Sequence, residues 1–129
     1  MKTRQSKPPG RHWPDRPEII AGIDETAGGS WLGVNDFGVV AAILNRSNSL
    51  GPKEGKRSRG ELVLEALDHA DASDAAKAIT SINEKAYRSF NMILADNRDA
   101  FWLKHIETDK ITLHSIPEGI SMITADDLN

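Results

Sequence analysis

FNMILADNRDAFWLKHIETDKITLHSI, residues 90–116, decides the fold. Phe90 to Ala95 is an apolar run of strand length, and Asp96-Asn97-Arg98-Asp99 is a turn. Ala100 to His105 reads as a second strand, Glu107 to Lys110 turns again, and Ile111 to Ile116 forms a third. Pro117-Glu118-Gly119 then lets Ile120 to Thr124 return as a fourth. Turns this short join antiparallel neighbours, because a parallel crossover needs about a dozen residues or more. Upstream, Ser30 to Val34 and Phe37 to Leu44 read as two strands joined at Asn35-Asp36, and Gly38 permits a tight exit from the turn. Glu18 to Ile23 is a further extended run, followed by a turn-like Asp24 to Gly29. Val39 to Leu44 is apolar without interruption, which predicts a strand covered on both faces.

Between these two groups of strands the apolar period changes. Leu62, Val63, Ala66, Leu67 and Ala70 recur at helical spacing. Ser58 and Glu61 have the spacing of a capping box in front of them. Ser73 is placed to cap a second short helix whose apolar face is Ala75, Ala76, Ala78, Ile79 and Ile82. The order is strands, helices, then a meander. That order specifies α+β with antiparallel sheet rather than a wound parallel sheet.

The chain has 129 residues, enough for a single domain over 1–129. Residues 1–17 are expected to be an irregular basic segment, because four prolines there push their neighbours towards extended backbone. The segment lacks the apolar core of a secretory signal, and no apolar run is long enough to span a membrane. A cytoplasmic location is the expectation. There is no cysteine, so these residues offer no disulfide, no cysteine–zinc site and no thiol nucleophile. Charge is patterned: residues 1–16 and 46–59 each carry five bases and one acid, on a body that is otherwise acidic. No aromatic stands among Lys53, Lys56, Arg57 and Arg59 to stack a base, so nucleic acid is not expected as a partner.

Three motifs raise chemistry. Gly51 to Ser58 lies between a strand and a helix, where a phosphate loop would lie, and Asp96 ends an apolar strand as a metal-holding aspartate would. The glycines are one residue too close, and Arg57 stands where a magnesium-binding hydroxyl belongs. A nucleotide binder is therefore only a distant alternative. His105 and His114 fall on neighbouring predicted strands and could approach each other, but no third metal ligand is evident, and none is predicted. The third motif is TAGGSWLGVN, residues 26–35, in which Gly28, Gly29 and Gly33 frame Trp31. Gly28 and Gly29 permit close backbone approach, and Gly33 is expected to leave a gap beside the indole on one strand face. That pattern makes a wall for a ligand.

AGGSWLG (27–33), AILN (42–45), SRGELV (58–63) and FNMIL (90–94) occur in an order and spacing that resemble the NRDE-motif family, the transport and Golgi organisation type, from about Pro8 to Asn129. The resemblance implies a partial αββα sandwich of the N-terminal-nucleophile hydrolase type, related to cysteine amidases such as the conjugated bile salt and penicillin V hydrolases. In those enzymes an N-terminal cysteine attacks an amide. Here Lys2 follows Met1 and the NRDE element is missing from its place; Asn97-Arg98-Asp99-Ala100 lies too far downstream and reads as a strand turn. The chain is therefore expected to be about half of a longer protein, with no catalytic residues of its own and no bound cofactor. The resemblance places Asn45 at an oxyanion-hole position and finds Thr124-Ala125 where a later asparagine stands in the enzymes; Asn91 reads as structural. The expected function is non-catalytic: binding of a small hydrophobic ligand such as haem or lipid, or a trafficking role. The alternative is a fragment of an N-terminal-cysteine amide hydrolase. Open sheet edges predict a tendency to form a homodimer.

Overall fold

A computed structural model describes residues 5–47, 55–106 and 110–128. Seven strands form one sheet in chain order: β1 (Ser6–Gly10), β2 (Ile19–Asp24), β3 (Leu32–Asn35), β4 (Val40–Asn45), β5 (Phe90–Ala95), β6 (Ala100–His105) and β7 (Thr112–Ser115). Every neighbouring pair is antiparallel. Two helices, α1 (Glu61–Ala66) and α2 (Ala72–Thr80), occupy the connection between β4 and β5. The architecture is the α+β antiparallel class that the short turns specify.

The helices cover one face of the sheet. Ile19, Ala41, Phe90, Met92, Leu94 and Leu103 point into that face and pack against Leu62, Val63, Leu67, Ala75, Ala76 and Ile79, all buried. Strand alternation sends the intervening residues to the other side. There Trp31, Leu32, Val34 and Val40 are 47%, 50%, 38% and 37% exposed. This corrects the expectation that the Val39–Leu44 strand is covered on both faces. Apolarity reports what a surface can tolerate burying, and among the described residues no helix lies over this side of β3 and β4.

Four local expectations are also corrected. The opening segment is not irregular throughout: Ser6–Gly10 pairs with β2 as an edge strand, where Pro8 and Pro9 are tolerated because an edge needs no second row of donors. The capping box does not form. The cap of α1 is Gly60, with no side-chain cap bond, and Glu61 instead accepts from Arg57 Nε and Tyr87 Oη. Those charge-assisted bonds outcompete a backbone amide. The second helix is capped by Asp71, whose carboxylate accepts from Asp74 N at 2.7 Å, rather than by Ser73. An anion at a helix N-terminus is favoured over a hydroxyl. Residues 120–124 form no strand; the Thr124 carbonyl is taken by the Asn91 side chain instead.

Asp96 shows how a residue that resembles a metal ligand serves structure. Its carboxylate accepts from Ala72 N at 2.8 Å, Arg98 N at 2.8 Å and Asp99 N at 2.9 Å. It thus closes the β5–β6 turn and holds the first turn of α2. These backbone donors, led by Ala72, pull its pKa below the ordinary carboxylate value. A lowered folded value means that the stabilisation is full above the ordinary value near ~4 and fades as pH falls through the lowered one. Asp96→Asn is expected to lower stability at pH 7 and to flatten the loss of stability on acidification. Urea denaturation at pH 7 and pH 3 checks this; an unchanged slope between the two would contradict it.

Candidate functional site

The two sequence blocks AGGSWLG and SRGELV meet in space. A Cβ built on Gly29 would lie 2.6 Å from the Gly60 carbonyl carbon and 2.9 Å from Glu61 N. Ser30 N donates to Gly60 O at 3.2 Å. The β2–β3 turn therefore rests, backbone on backbone, on the start of α1. Gly28 takes φ of +80°, and its carbonyl accepts from the Trp13 indole at 3.0 Å. Beside this junction is an open cleft of about 420 Å³, lined among others by Trp13, Gly28, Arg57, Glu61, Leu64 and Tyr87.

Three polar groups of the cleft are tied to one another. Arg57 chelates Glu61 through Nε and Nη2, and Tyr87 donates to the same carboxylate. The Arg57 bond is the leading reason that the Glu61 carboxyl is held below its usual range. Burial, then the negative Glu61, pushes the Tyr87 phenol up to about 12, so it stays protonated and donates at any physiological pH. The triad braces the walls of the cleft.

The five predicted wall residues do not share one cavity. Gly28 borders the cleft and Gly29 lies at the junction with Gly60. Gly33 is beneath the helices: a Cβ there would meet Ala21 Cβ at 2.6 Å and Leu67 Cδ1 at 2.9 Å. Trp31 lies over Gly22, whose added Cβ would be 2.8 Å from the ring. Ala21 and Gly22 point to opposite faces, so Gly33 and Trp31 do too. That corrects the expected gap beside the indole. Gly33 makes room for Leu67, and Gly22 makes room for the tryptophan. Gly22 carries no turn signal in the sequence, so nothing there singled it out. Asn45 ends β4 opposite Phe90 and is partly exposed.

The paired histidines separate as well. His105 is buried against Phe90 on the helix side, and its Nε2 is 3.1 Å from Tyr87 O. His114 pairs with Trp102 and therefore points to the other face. No group of three metal-ligating side chains occurs among the described residues. Residues 51–54, half of the Gly51–Ser58 loop, lie outside the described residues; of the cations within reach, Lys56 donates to Lys85 O and Arg57 is paired with Glu61.

The family model for Transport and Golgi organisation 2 matches residues 1–129. The chain belongs to that family. Among similar proteins, the Transport and Golgi organization 2 homolog of Mus musculus is 35% identical over 89 residues. The corresponding homologs of Bos taurus and Homo sapiens are 34% identical over 89 residues and 36% over 90. Each alignment takes in 65% of this chain and 31% of the relative, so the chain matches about a third of the length of these family members. No helix among the described residues is long and apolar enough to cross a membrane.

Proposed function

We propose that this member of the Transport and Golgi organisation 2 family is a non-catalytic protein that takes a small hydrophobic ligand, a lipid or haem, on the open face of its sheet. A role in transport and Golgi organisation, as in its relatives' names, is proposed for it from family membership alone. One observation carries the reading. Trp31, Leu32, Val34 and Val40 form a contiguous exposed apolar surface, with Val34 and Val40 directly paired across β3 and β4. A contiguous apolar patch on a folded surface marks an interaction site. The Trp31 ring, packed over Gly22, gives that patch an aromatic border. The 129 residues contain no cysteine, so they supply no thiol for amide attack.

Titration with cis-parinaric acid and, separately, with haemin tests the proposal. At least one should bind saturably and quench tryptophan emission. Trp31→Ala and Val34→Lys should each weaken that binding by ~10-fold or more, the equivalent of about 1.4 kcal/mol. Absence of saturable binding by both probes, or binding indifferent to both substitutions, refutes it.

A further inference from the structure

At the other end of the open face, residues Thr124–Asp127 are gripped as a bound peptide would be. Asn91 Nδ2 donates to Thr124 O at 2.8 Å and to Asp126 O at 2.6 Å. Ser47 N donates to Ala125 O at 2.9 Å, and Ser47 Oγ donates to Asp126 Oδ1 at 2.8 Å. The Asp127 carboxylate accepts from Arg46 Nη2 at 2.9 Å and Lys104 Nζ at 3.0 Å. Three successive carbonyls and two successive carboxylates are thus read within four residues. Nothing in this set reads the side chains of Thr124 or Ala125.

The receptor side is rigid. Asn91 is fully buried on β5. Its Oδ1 accepts from Arg46 Nη1 at 2.7 Å and from the Trp102 indole at 3.0 Å. Two donors on the oxygen leave one orientation for the amide, with Nδ2 turned to the gripped segment. The segment side is loosely connected. Residues 116–123 have no helix or strand, Gly119 sits at φ +108°, and Ile120 and Met122 project into solvent.

We propose that Arg46, Ser47, Asn91 and Lys104 form a peptide-binding site for an extended segment ending in two consecutive carboxylates, and that a second copy of the chain supplies it by exchanging its Thr124–Asp127 strap. The chemistry identifies the occupant: the strap accepts from Asn91 Nδ2, Ser47 N and Oγ, Arg46 Nη2 and Lys104 Nζ, and an identical strap does so in trans without any new contact. Exchange of an identical element between copies is a low-cost route to a dimer. In cis, the tether holds the strap at an effective concentration on the order of millimolar, so exchange needs high protein concentration or a loosened strap.

The test uses the full chain and a fluorescein-labelled peptide of residues 120–129. Asp126→Asn with Asp127→Asn loosens the resident strap, and this variant should bind the peptide ~10-fold more tightly than the unaltered chain. Adding Ser47→Ala and Lys104→Ala should weaken its binding by ~10-fold or more, and so should replacing both aspartates of the peptide by asparagine. By sedimentation velocity the unaltered chain should form a concentration-dependent dimer that truncation after Ile123, which removes the strap, abolishes. Peptide binding indifferent to the Ser47 and Lys104 changes overturns the site. A monomer at every concentration overturns the exchange. Trp31→Ala should leave all these readings unchanged, which separates this proposal from hydrophobic ligand binding on β3 and β4.

Discussion

Asn35→Asp should destabilise the fold by about 3–5 kcal/mol at neutral pH, the range seen when a charge is left buried without a partner. Asn35 is buried at the end of β3. Its Nδ2 donates to Leu67 O at 3.0 Å and His69 O at 2.7 Å. Its Oδ1 accepts from Phe37 N and Val39 N, both at 3.0 Å. One side chain therefore closes the β3–β4 hairpin and satisfies the carbonyls that α1 leaves open at its C-terminus. A carboxylate keeps the acceptor half of this work and sets a negative oxygen against two carbonyl oxygens. The introduced carboxyl would escape by holding a proton, so its folded pKa would rise above the unfolded value of about 4. A raised folded value makes the penalty small in acid and lets it grow as pH increases past the unfolded value. Urea denaturation between pH 3 and pH 7 checks both size and sign. A penalty constant with pH would show that the donor bonds to α1 are not the reason for the loss.

Gly29→Ala is expected to cost about 3 kcal/mol, at the upper end of what one inserted carbon costs in a packed interior. The new methyl would lie 2.6 Å from the Gly60 carbonyl carbon and 2.9 Å from Glu61 N and Gly60 O. These are backbone atoms at the start of α1, so no rotamer change relieves the clash. Gly28→Ala is the control. Its Cβ would meet nothing within 4 Å, and only the φ of +80° opposes it. That cost is about 1 kcal/mol. Thermal unfolding distinguishes the two: a 1 kcal/mol change shifts Tm of a domain near this size by roughly 4 °C. The first variant should therefore fall about three times as far as the second. Equal shifts would mean that the junction between the turn and the helix can open at no cost.

Most of the β-meander was legible because turn length is a local property. Asp96-Asn97-Arg98-Asp99 is too short to do anything but reverse the chain, and β5 and β6 pair in register from Phe90–His105 to Ala95–Ala100. Asn91 was legible as structural for a similar reason, since a polar residue in an apolar strand must find partners. The glycine–indole stretch was legible as a close approach but not as which approach. Three glycines there and Gly22 on β2 are the same residue with different surroundings: Gly28 faces solvent at positive φ, Gly29 a helix start, Gly33 a leucine, and Gly22 a tryptophan.

The sequence alone determined the class of fold, the antiparallel order, the two helices and the family, because these follow from periodicity, turn length and ordered motifs along the chain. Tertiary structure alone decided which helix cap won, which face of the sheet stays open, and that Thr124–Asp127 is held by Asn91 rather than paired as a strand. Those outcomes are competitions between rival partners, some neighbours in the chain and some, such as Tyr87 for Glu61 and Asn91 for Thr124, distant in it. Asp71 against Ser73, Arg57 and Tyr87 against a backbone amide, and an asparagine side chain against a strand edge are settled by which group arrives with the better hydrogen-bond geometry and charge. No local pattern records that.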